Sequence, residues 1–382
     1  MTPYTNIYYF IVLVFLFIPI FIAGLREKKL PVYSFVLTVL LLSSVYLSSL
    51  TEFLSFVCYI IWQIGMVSWY HFYRKTNNAT SIFYFFIFFT LLPLLLVKVI
   101  PFFHIHTMIG FLGISYLTFK SVQVIIDLRD GTLKDYRLFD FASFLLFYPT
   151  ISSGPIDRFK RFRQDFSSIP TKDEYRSLFF HGTNKIFQGF LYKFIIASLL
   201  NANVIQTLYV QEHSFLPTLI YMYAYSLYLF FDFAGYSCFA IGVSYYLGIK
   251  TPENFHLPFL SRNIKDFWNR WHMSLSFWFR DYVYMRFVFL FTKKKWIKNR
   301  YTVSYLGYFV LFLLMGLWHG LALHYIVYGL YHACLIITFD LFDRWNKKHK
   351  KWKKNKWTYG ISLFITFHVI CFGFLLFSGR LF

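Results

Sequence analysis

The sequence predicts an all-α polytopic membrane protein, on the evidence of its composition and of its hydropathy pattern. Of the 382 residues, 58% are hydrophobic and only 14% are charged, whereas soluble domains carry roughly 25% charged residues. The apolar residues cluster into runs of the length that a helix needs to cross a bilayer, about 20 residues. A membrane β-barrel would instead alternate apolar and polar residues over roughly ten-residue segments, and residues 82–96 are almost continuously apolar.

About eleven candidate spans follow from these runs. They lie at about 5–25, 31–50, 53–72, 81–100, 106–126, 185–205, 215–231, 235–249, 303–322, 324–341 and 358–378. The first run has no basic region before it and no small-residue cleavage site after it, so we expect a retained helix and not a removed signal peptide.

The basic residues predict the orientation in the membrane. The net charge is +21, and the loops after the first, third and fifth spans are basic; they carry Arg26, Lys28, Lys29, Arg74, Lys75, Arg129, Lys134 and Arg137. Because basic loops stay on the cytoplasmic side, we expect an extracellular N-terminus in the plasma membrane. The charge also predicts attraction to anionic lipid or, in addition, a specific acidic partner in the cytoplasm.

Two regions interrupt the pattern of simple spans. Residues 140–153 are apolar but short, and Gly154-Pro155 and a segment of alternating basic residues and phenylalanines at 157–166 follow them. This order predicts a re-entrant segment with an interfacial helix. Residues 251–292 are the second region, and 262–281 carry too many charges for a lipid-facing span. If 265–281 is one helix, a single face carries Trp268, His272, Ser276 and Arg280, as expected of a cavity wall.

Two histidines beside tryptophans are the candidate catalytic residues. His319 ends an apolar run and lies between Trp318 and Gly320; an ionisable group at membrane depth is a functional hypothesis by default. A neutral imidazole accepts a proton near pH 7, so we predict a general base. The alternative is a packed histidine bonded to a backbone carbonyl. His272 is the second candidate, either positioning substrate or polarising a carbonyl, or else holding a structural network.

The neighbours of these histidines are candidate substrate-binding residues: Trp268, Asn269, Arg270, Ser274, Ser276 and Trp318. Ordinary packing or interface roles are expected for His104, His106, His324 and His332. For Asp232 we expect a structural ion pair with a basic residue of the re-entrant core. The four cysteines have no metal-ligand spacing, so no metal site is expected. Neither a G-x-S-x-G elbow nor a P-loop is present, which argues against a serine hydrolase and an ATP-driven pump.

Several motifs together carry a resemblance to a known family. In chain order they are Tyr148-Pro149, Gly154-Pro155-Ile156, Asp232-Phe233-Ala234-Gly235-Tyr236-Ser237, Thr251-Pro252-Glu253-Asn254-Phe255, Phe267-Trp268-Asn269-Arg270-Trp271-His272-Met273-Ser274-Leu275-Ser276, Trp278-Phe279-Arg280-Asp281 and Gly316-Leu317-Trp318-His319-Gly320. The chain thereby resembles the membrane-bound O-acyltransferase family. The resemblance implies one integral-membrane domain, a ring of about eleven helices around a central cavity and tunnel. It divides 1–382 into N-terminal helices at 1–137, a catalytic core at 138–335, and a basic loop with a C-terminal helix at 336–382.

The resemblance also implies the chemistry. His319 takes the place of the family's catalytic histidine, and His272 that of a second motif residue. The donor would be a D-alanyl thioester on the phosphopantetheine arm of an acidic carrier protein in the cytoplasm, with no cofactor bound covalently to this chain. The acceptor would be teichoic acid on the outer side, directly or through a membrane-anchored partner protein. Apart from these and the lipid bilayer, no partner is expected, and no nucleic acid.

A short apolar segment at 284–291 precedes three lysines and is too short to span. We expect Met285, Val288 and Phe289 to form a carrier-docking surface, with Lys293 and Lys294 steering the acidic partner. The alternative is an interfacial helix anchored in lipid.

Two other functions remain open from the sequence. Another enzyme of the same family, acylating a polysaccharide, lipid or peptide, would share every motif, and a requirement for acyl-CoA would point to it. A non-catalytic transporter, with the histidines relaying protons, would show proton-coupled flux independent of a thioester.

Overall fold

The computed structural model describes residues 4, 7–47, 49–103, 110–209, 214–353 and 355–382. Within these ranges the chain is helical and contains no strand. His104 and His106 lie outside the described residues. The chain divides into two compact units, one of residues 1–190 and 235–252 and the other of residues 191–234 and 253–382.

The first unit holds the N-terminal helices. They are α1 (Ile7–Leu25), α2 (Pro31–Tyr46), α3 (Leu50–Arg74), α4 (Thr80–Val99), α5 (Ile114–Asp130), α6 (Leu138–Leu146), α7 (Phe159–Ser167) and α8 (Lys172–Gly189). α5 is buried on nearly all sides. Its Lys120 donates hydrogen bonds to the carbonyls of Phe144 at 3.0 Å and Leu145 at 3.4 Å, which satisfy the C-terminal end of α6.

The second unit begins within a π-helical stretch, Phe190–Ala197, that continues α8. Its helices are α9 (Ser198–Leu200), α10 (Gln206–Tyr209), α11 (Phe215–Tyr246, whose last third belongs to the first unit), α12 (Ile264–Trp268), α13 (Met273–Phe279), α14 (Met285–Lys294), α15 (Arg300–His319), α16 (Leu323–His349) and α17 (Lys356–Phe377). A second π-helical stretch, Asn201–Ile205, joins α9 to α10, and a third, Arg280–Tyr284, joins α13 to α14.

α15 and α16 pack with their backbones in contact. A Cβ on Gly316 would lie 2.5 Å from the carbonyl oxygen of Tyr325, and a Cβ on Gly329 would lie 2.4 Å from that of Phe312. Small residues permit such close approach of helices in a membrane. The two glycines therefore set the register between α15 and α16, and with it the surroundings of the residues at the end of α15.

Eight helices in the described part of the chain are long and apolar enough to span a membrane. The predicted spans at 215–231 and 235–249 are wrong as separate helices, because α11 continues through Ala234-Gly235. Glycine is tolerated in membrane helices, where every backbone group must be bonded within the segment. The predicted spans at 31–50 and 106–126 correspond to the shorter helices α2 and α5, of 16 and 17 residues.

Candidate active site

His319 is the last residue of α15 and lies half-buried among aromatic rings. Its ring centroid is 4.9 Å from that of Phe377 and 6.0 Å from that of Tyr325. Tyr328 and Trp318 lie at 6.3 and 4.5 Å. These rings come from α15, α16 and the end of α17, so three helices together form what we call the aromatic box: Trp318, Tyr325, Tyr328 and Phe377.

Gly320 is required for this arrangement. A Cβ on Gly320 would lie 2.6 Å from a ring carbon of Tyr325, which is shorter than the non-bonded contacts that Cβ atoms make in proteins. The glycine thus lets Tyr325 reach His319 with the two ring planes inclined by only 26°. Packing thus accounts for the glycine of the motif Trp318-His319-Gly320.

His272 does not lie on a continuous helix, and the predicted helix over 265–281 is wrong. α12 ends at Trp268 and α13 begins at Met273. His272 between them has φ 42° and ψ 50°, a left-handed conformation that a helix cannot accommodate. Asn254 stabilises the break, since its carbonyl accepts a hydrogen bond from the Met273 N–H at 2.9 Å.

The hydrogen bonds around Asn254 identify the proton-bearing nitrogen of His272. The Asn254 Oδ1 accepts from the Ser274 hydroxyl at 2.6 Å and lies 3.3 Å from His272 Nδ1. Because an amide oxygen only accepts, Nδ1 carries the proton and Nε2 the lone pair. Nε2 is buried and has no hydrogen-bond partner within the described ranges. His272 therefore holds an unused acceptor.

The His272 ring is neutral at physiological pH. The residue is 4% exposed and lies outside the eight candidate membrane-spanning helices. Burial lowers the pKa of His272 from 6.5 to about 3, and a positive charge on His319 contributes to the lowering. The two histidines are thus electrostatically coupled.

A cavity of about 230 Å³ lies in the same unit. Its polar lining includes three predicted substrate-binding residues, Trp268, Asn269 and Ser276. Arg280, which the sequence placed on the same face as Trp268 and Ser276, and Lys265 also line it. The apolar lining includes Tyr308, Leu311, Phe312 and Met315 of α15. His319 follows Met315 by four residues and so lies on the same face of α15, one turn beyond the cavity.

The other predicted substrate-binding residues are placed elsewhere. Arg270 forms an ion pair with Asp266 at 2.8 Å, and Ser274 bonds to Asn254. Trp318 lies in the aromatic box. The cavity therefore contains only part of the predicted set, because the helix break at His272 directs Arg270 and Ser274 to other partners, and Trp318 lies beyond the cavity at the end of α15.

The predicted docking residues lie on α14 and its end. Met285 and Phe289 are 53% and 68% exposed, and Lys293 lies over the Phe289 ring at 5.9 Å. Lys294 is also exposed. Val288 instead faces α15, since a Cβ on Gly307 would lie 3.3 Å from its Cγ2.

Two buried polar residues were not among the predicted site residues: His332, for which an ordinary packing or interface role was expected, and Arg380. Both ring nitrogens of His332, which is fully buried against Trp268, lack a hydrogen-bond partner in the described part of the chain. The guanidinium nitrogens of Arg380, 6% exposed, likewise have none there, and the group lies 4.5 Å from the ring centroid of Tyr221. An isolated basic residue near a terminus gives no sequence signal of burial. Asp232 forms an ion pair as predicted, but its partner is Lys193 of the π-helical stretch and not a residue of the re-entrant core.

Comparison with known proteins identifies the family of this chain. The model of the membrane-bound O-acyltransferase family matches residues 113–378, a range that contains both histidines, the cavity and the aromatic box. The chain belongs to this family and is an acyltransferase.

Within this family, the chain is similar to the following curated relatives. The teichoic acid D-alanyltransferase of Bacillus subtilis (strain 168) is 52% identical over 389 aligned positions, covering 100% of this chain and 98% of the relative. That of Streptococcus thermophilus is 44% identical, covering 99% and 95%. A probable alginate O-acetylase of Pseudomonas aeruginosa is 36% identical over 237 positions, covering 61% of this chain and 43% of the relative.

Proposed function

We propose that this protein transfers D-alanine from a carrier-protein thioester to teichoic acid, with His319 as general base. The observation that carries the proposal is the cavity along α15, whose lining face continues to His319 within one turn. The full-length similarity to teichoic acid D-alanyltransferases supports the acyl group and the acceptor.

In this mechanism the phosphopantetheine arm occupies the cavity and brings its thioester carbonyl to His319. The imidazole takes the proton of an acceptor hydroxyl, whose oxygen attacks the carbonyl carbon. The carbon–sulfur bond then breaks, the ester forms, and the imidazolium returns its proton to the leaving thiolate. General base catalysis contributes typically ~10²–10⁴-fold, and holding both substrates at one site adds a proximity term. The acceptor is the polyol itself or an intermediary on a membrane-anchored partner.

His272 serves this reaction as a positioning residue. Its Nε2 carries a lone pair while Nδ1 faces Asn254. A neutral ring with this tautomer accepts a hydrogen bond at Nε2 and has no proton there to donate to a carbonyl. This pattern favours positioning of a substrate donor group over polarisation of the thioester carbonyl.

The carrier docks on α14 in this proposal. Met285 and Phe289 supply the exposed apolar contact, and Lys293 and Lys294 supply charge opposite an acidic surface. Met285 also lines the cavity, so the docking surface and the entrance of the arm adjoin. Charge pairs of this kind mainly accelerate association.

The experiment is transfer of radiolabelled D-alanine from charged carrier to teichoic acid in membranes, comparing wild type with His319→Ala. Transfer should fall by roughly 10²–10⁴-fold while carrier binding persists. His349→Ala is the control, because His349 is exposed and its Nδ1 bonds only locally, to Trp345 O at 2.9 Å. Unchanged transfer in a folded His319→Ala variant would contradict the proposal. Transfer that needs acetyl-CoA in place of charged carrier would instead indicate a polysaccharide-acetylating enzyme.

A further inference from the structure

The aromatic box has a chemical consequence for the acyl group. The reacting carbonyl must come to His319, and the α-amino group of a D-alanyl ester is attached to the carbon next to that carbonyl. The amino group is therefore carried into the box together with the reacting atoms. It is an ammonium ion near pH 7, since unperturbed α-amino groups titrate at about 7.7–8.0.

The helices around His319 provide no nearby carboxylate for this ammonium. Residues 300–382 contain two acidic residues, Asp340 and Asp343. Asp340 is fifteen residues beyond Tyr325 on α16, about 22 Å along the helix axis. It is also engaged by Lys265 and Arg344. Neither Asp340 nor Asp343, which lies still farther along α16, is therefore placed to bind the ammonium beside Tyr325.

The box offers aromatic faces instead. Tyr325 and Phe377 have ring centroids 5.1 Å apart at 62°, and Phe377 and Tyr328 have centroids 5.1 Å apart at 66°. Tyr325, Phe377 and His319 are each half-buried, so the box is not closed to a small group. A cation near an aromatic face is attracted by the ring quadrupole, more strongly where water is excluded.

We propose that Tyr325, Tyr328 and Phe377 form an ammonium-binding subsite that selects an aminoacyl group over a neutral acyl group at His319. The inference rests on the proposed D-alanyl transfer and adds the residues that determine its specificity. The subsite also offsets the repulsion between the ammonium and the imidazolium that forms on His319 during attack. The contact between the ammonium and the aromatic rings thus stabilises the transition state, in which positive charge develops on His319.

The test compares two acyl groups on the same carrier protein. The full-length protein in nanodiscs is given carrier charged with D-alanyl or with isobutyryl, in which a methyl group replaces the ammonium. The measured quantity is the ratio of kcat/KM for the two donors. Tyr325→Leu and Phe377→Leu should lower this ratio by roughly 5- to 30-fold, and Tyr325→Phe should preserve it.

The control is Tyr331→Leu, also on α16, whose ring contacts Phe372 and His332 and not the box; its ratio should equal that of wild type. Equal losses for both donors in the leucine variants would show a packing role and overturn the inference. So would a fall in the ratio confined to Asp232→Asn, which would assign the ammonium to that carboxylate. A wild-type protein that transfers neither group would overturn the proposed function itself.

Discussion

Tyr325 stacks against His319 with ring planes inclined by 26°, and the absence of a side chain on Gly320 makes the contact possible. The relation ties the glycine of the Trp318-His319-Gly320 motif to the orientation of the candidate base. A catalytic imidazole is commonly oriented by a carboxylate. Here four aromatic rings surround it, so its position depends on the packing of α15, α16 and α17.

Gly320→Ala should reduce the rate of acyl transfer by roughly 10²-fold, because the new Cβ displaces Tyr325 and thereby shifts the imidazole of His319. A shift of about 1 Å in a catalytic group lowers the rate by a factor of this size. The measurement is kcat with charged carrier. Gly360→Ala in α17 is the matched control, since a Cβ there meets no atom within 4 Å. Full activity of Gly320→Ala would show that Tyr325 does not orient His319.

Acid should destabilise the protein through His272. Its folded pKa of about 3 is below the unfolded value, so between about pH 6.5 and 3 the unfolded state binds a proton that the folded state does not. Stability present above pH 6.5 is therefore lost as pH falls, by up to about 1.4 kcal/mol per pH unit. The midpoint of unfolding, measured from pH 7 to 4, should fall less steeply in His272→Gln than in wild type.

The comparison with His349→Gln controls for histidine loss at an exposed position. Identical pH slopes for wild type and His272→Gln would show that the His272 ring titrates normally in the folded protein.

Phe289→Ser should weaken carrier binding by roughly tenfold if Phe289 is an anchor of the docking surface. Phe180→Ser is the control, because Phe180 on α8 is similarly exposed, 63% against 68%. Binding is measured with purified carrier at low and high salt. Equal affinities of the two variants would indicate that α14 only contacts lipid. Val288→Asp is a poorer test, because Val288 packs against α15 at Gly307 and the variant should lose stability.

Arg380→Met should raise the free energy of unfolding by about 1 kcal/mol or more. Burial of an uncompensated ion costs several kcal/mol, whereas the contact with Tyr221 returns about 0.5–2 kcal/mol. Thermal unfolding in detergent is the measurement, with the exposed Arg300→Met as control. A marked destabilisation of Arg380→Met would show that the charge of Arg380 stabilises the folded protein, and would contradict this prediction.

Local patterns in the sequence were sufficient to predict some features of the fold and of the position of His319. Hydropathy predicted a helical membrane protein, and the position of His319 at the end of an apolar helix was predicted from the same run and from its motif. The roles of the site residues stay predictions. The break at His272 was not predicted, since the hydrogen bonds that replace the helical ones come from Asn254, eighteen residues earlier.

The sequence by itself determined the class of protein, the helical character of the chain and the motif residues, because each depends on the composition of one segment. Only the tertiary structure decided which residues meet. The approach of Tyr325 and Phe377 to His319, the cavity along α15 and the inward direction of Val288 all depend on helices that are distant in sequence. Their register is set where glycines bring backbones into contact, and such contacts are specified by the fit of two surfaces together, which neither segment shows alone.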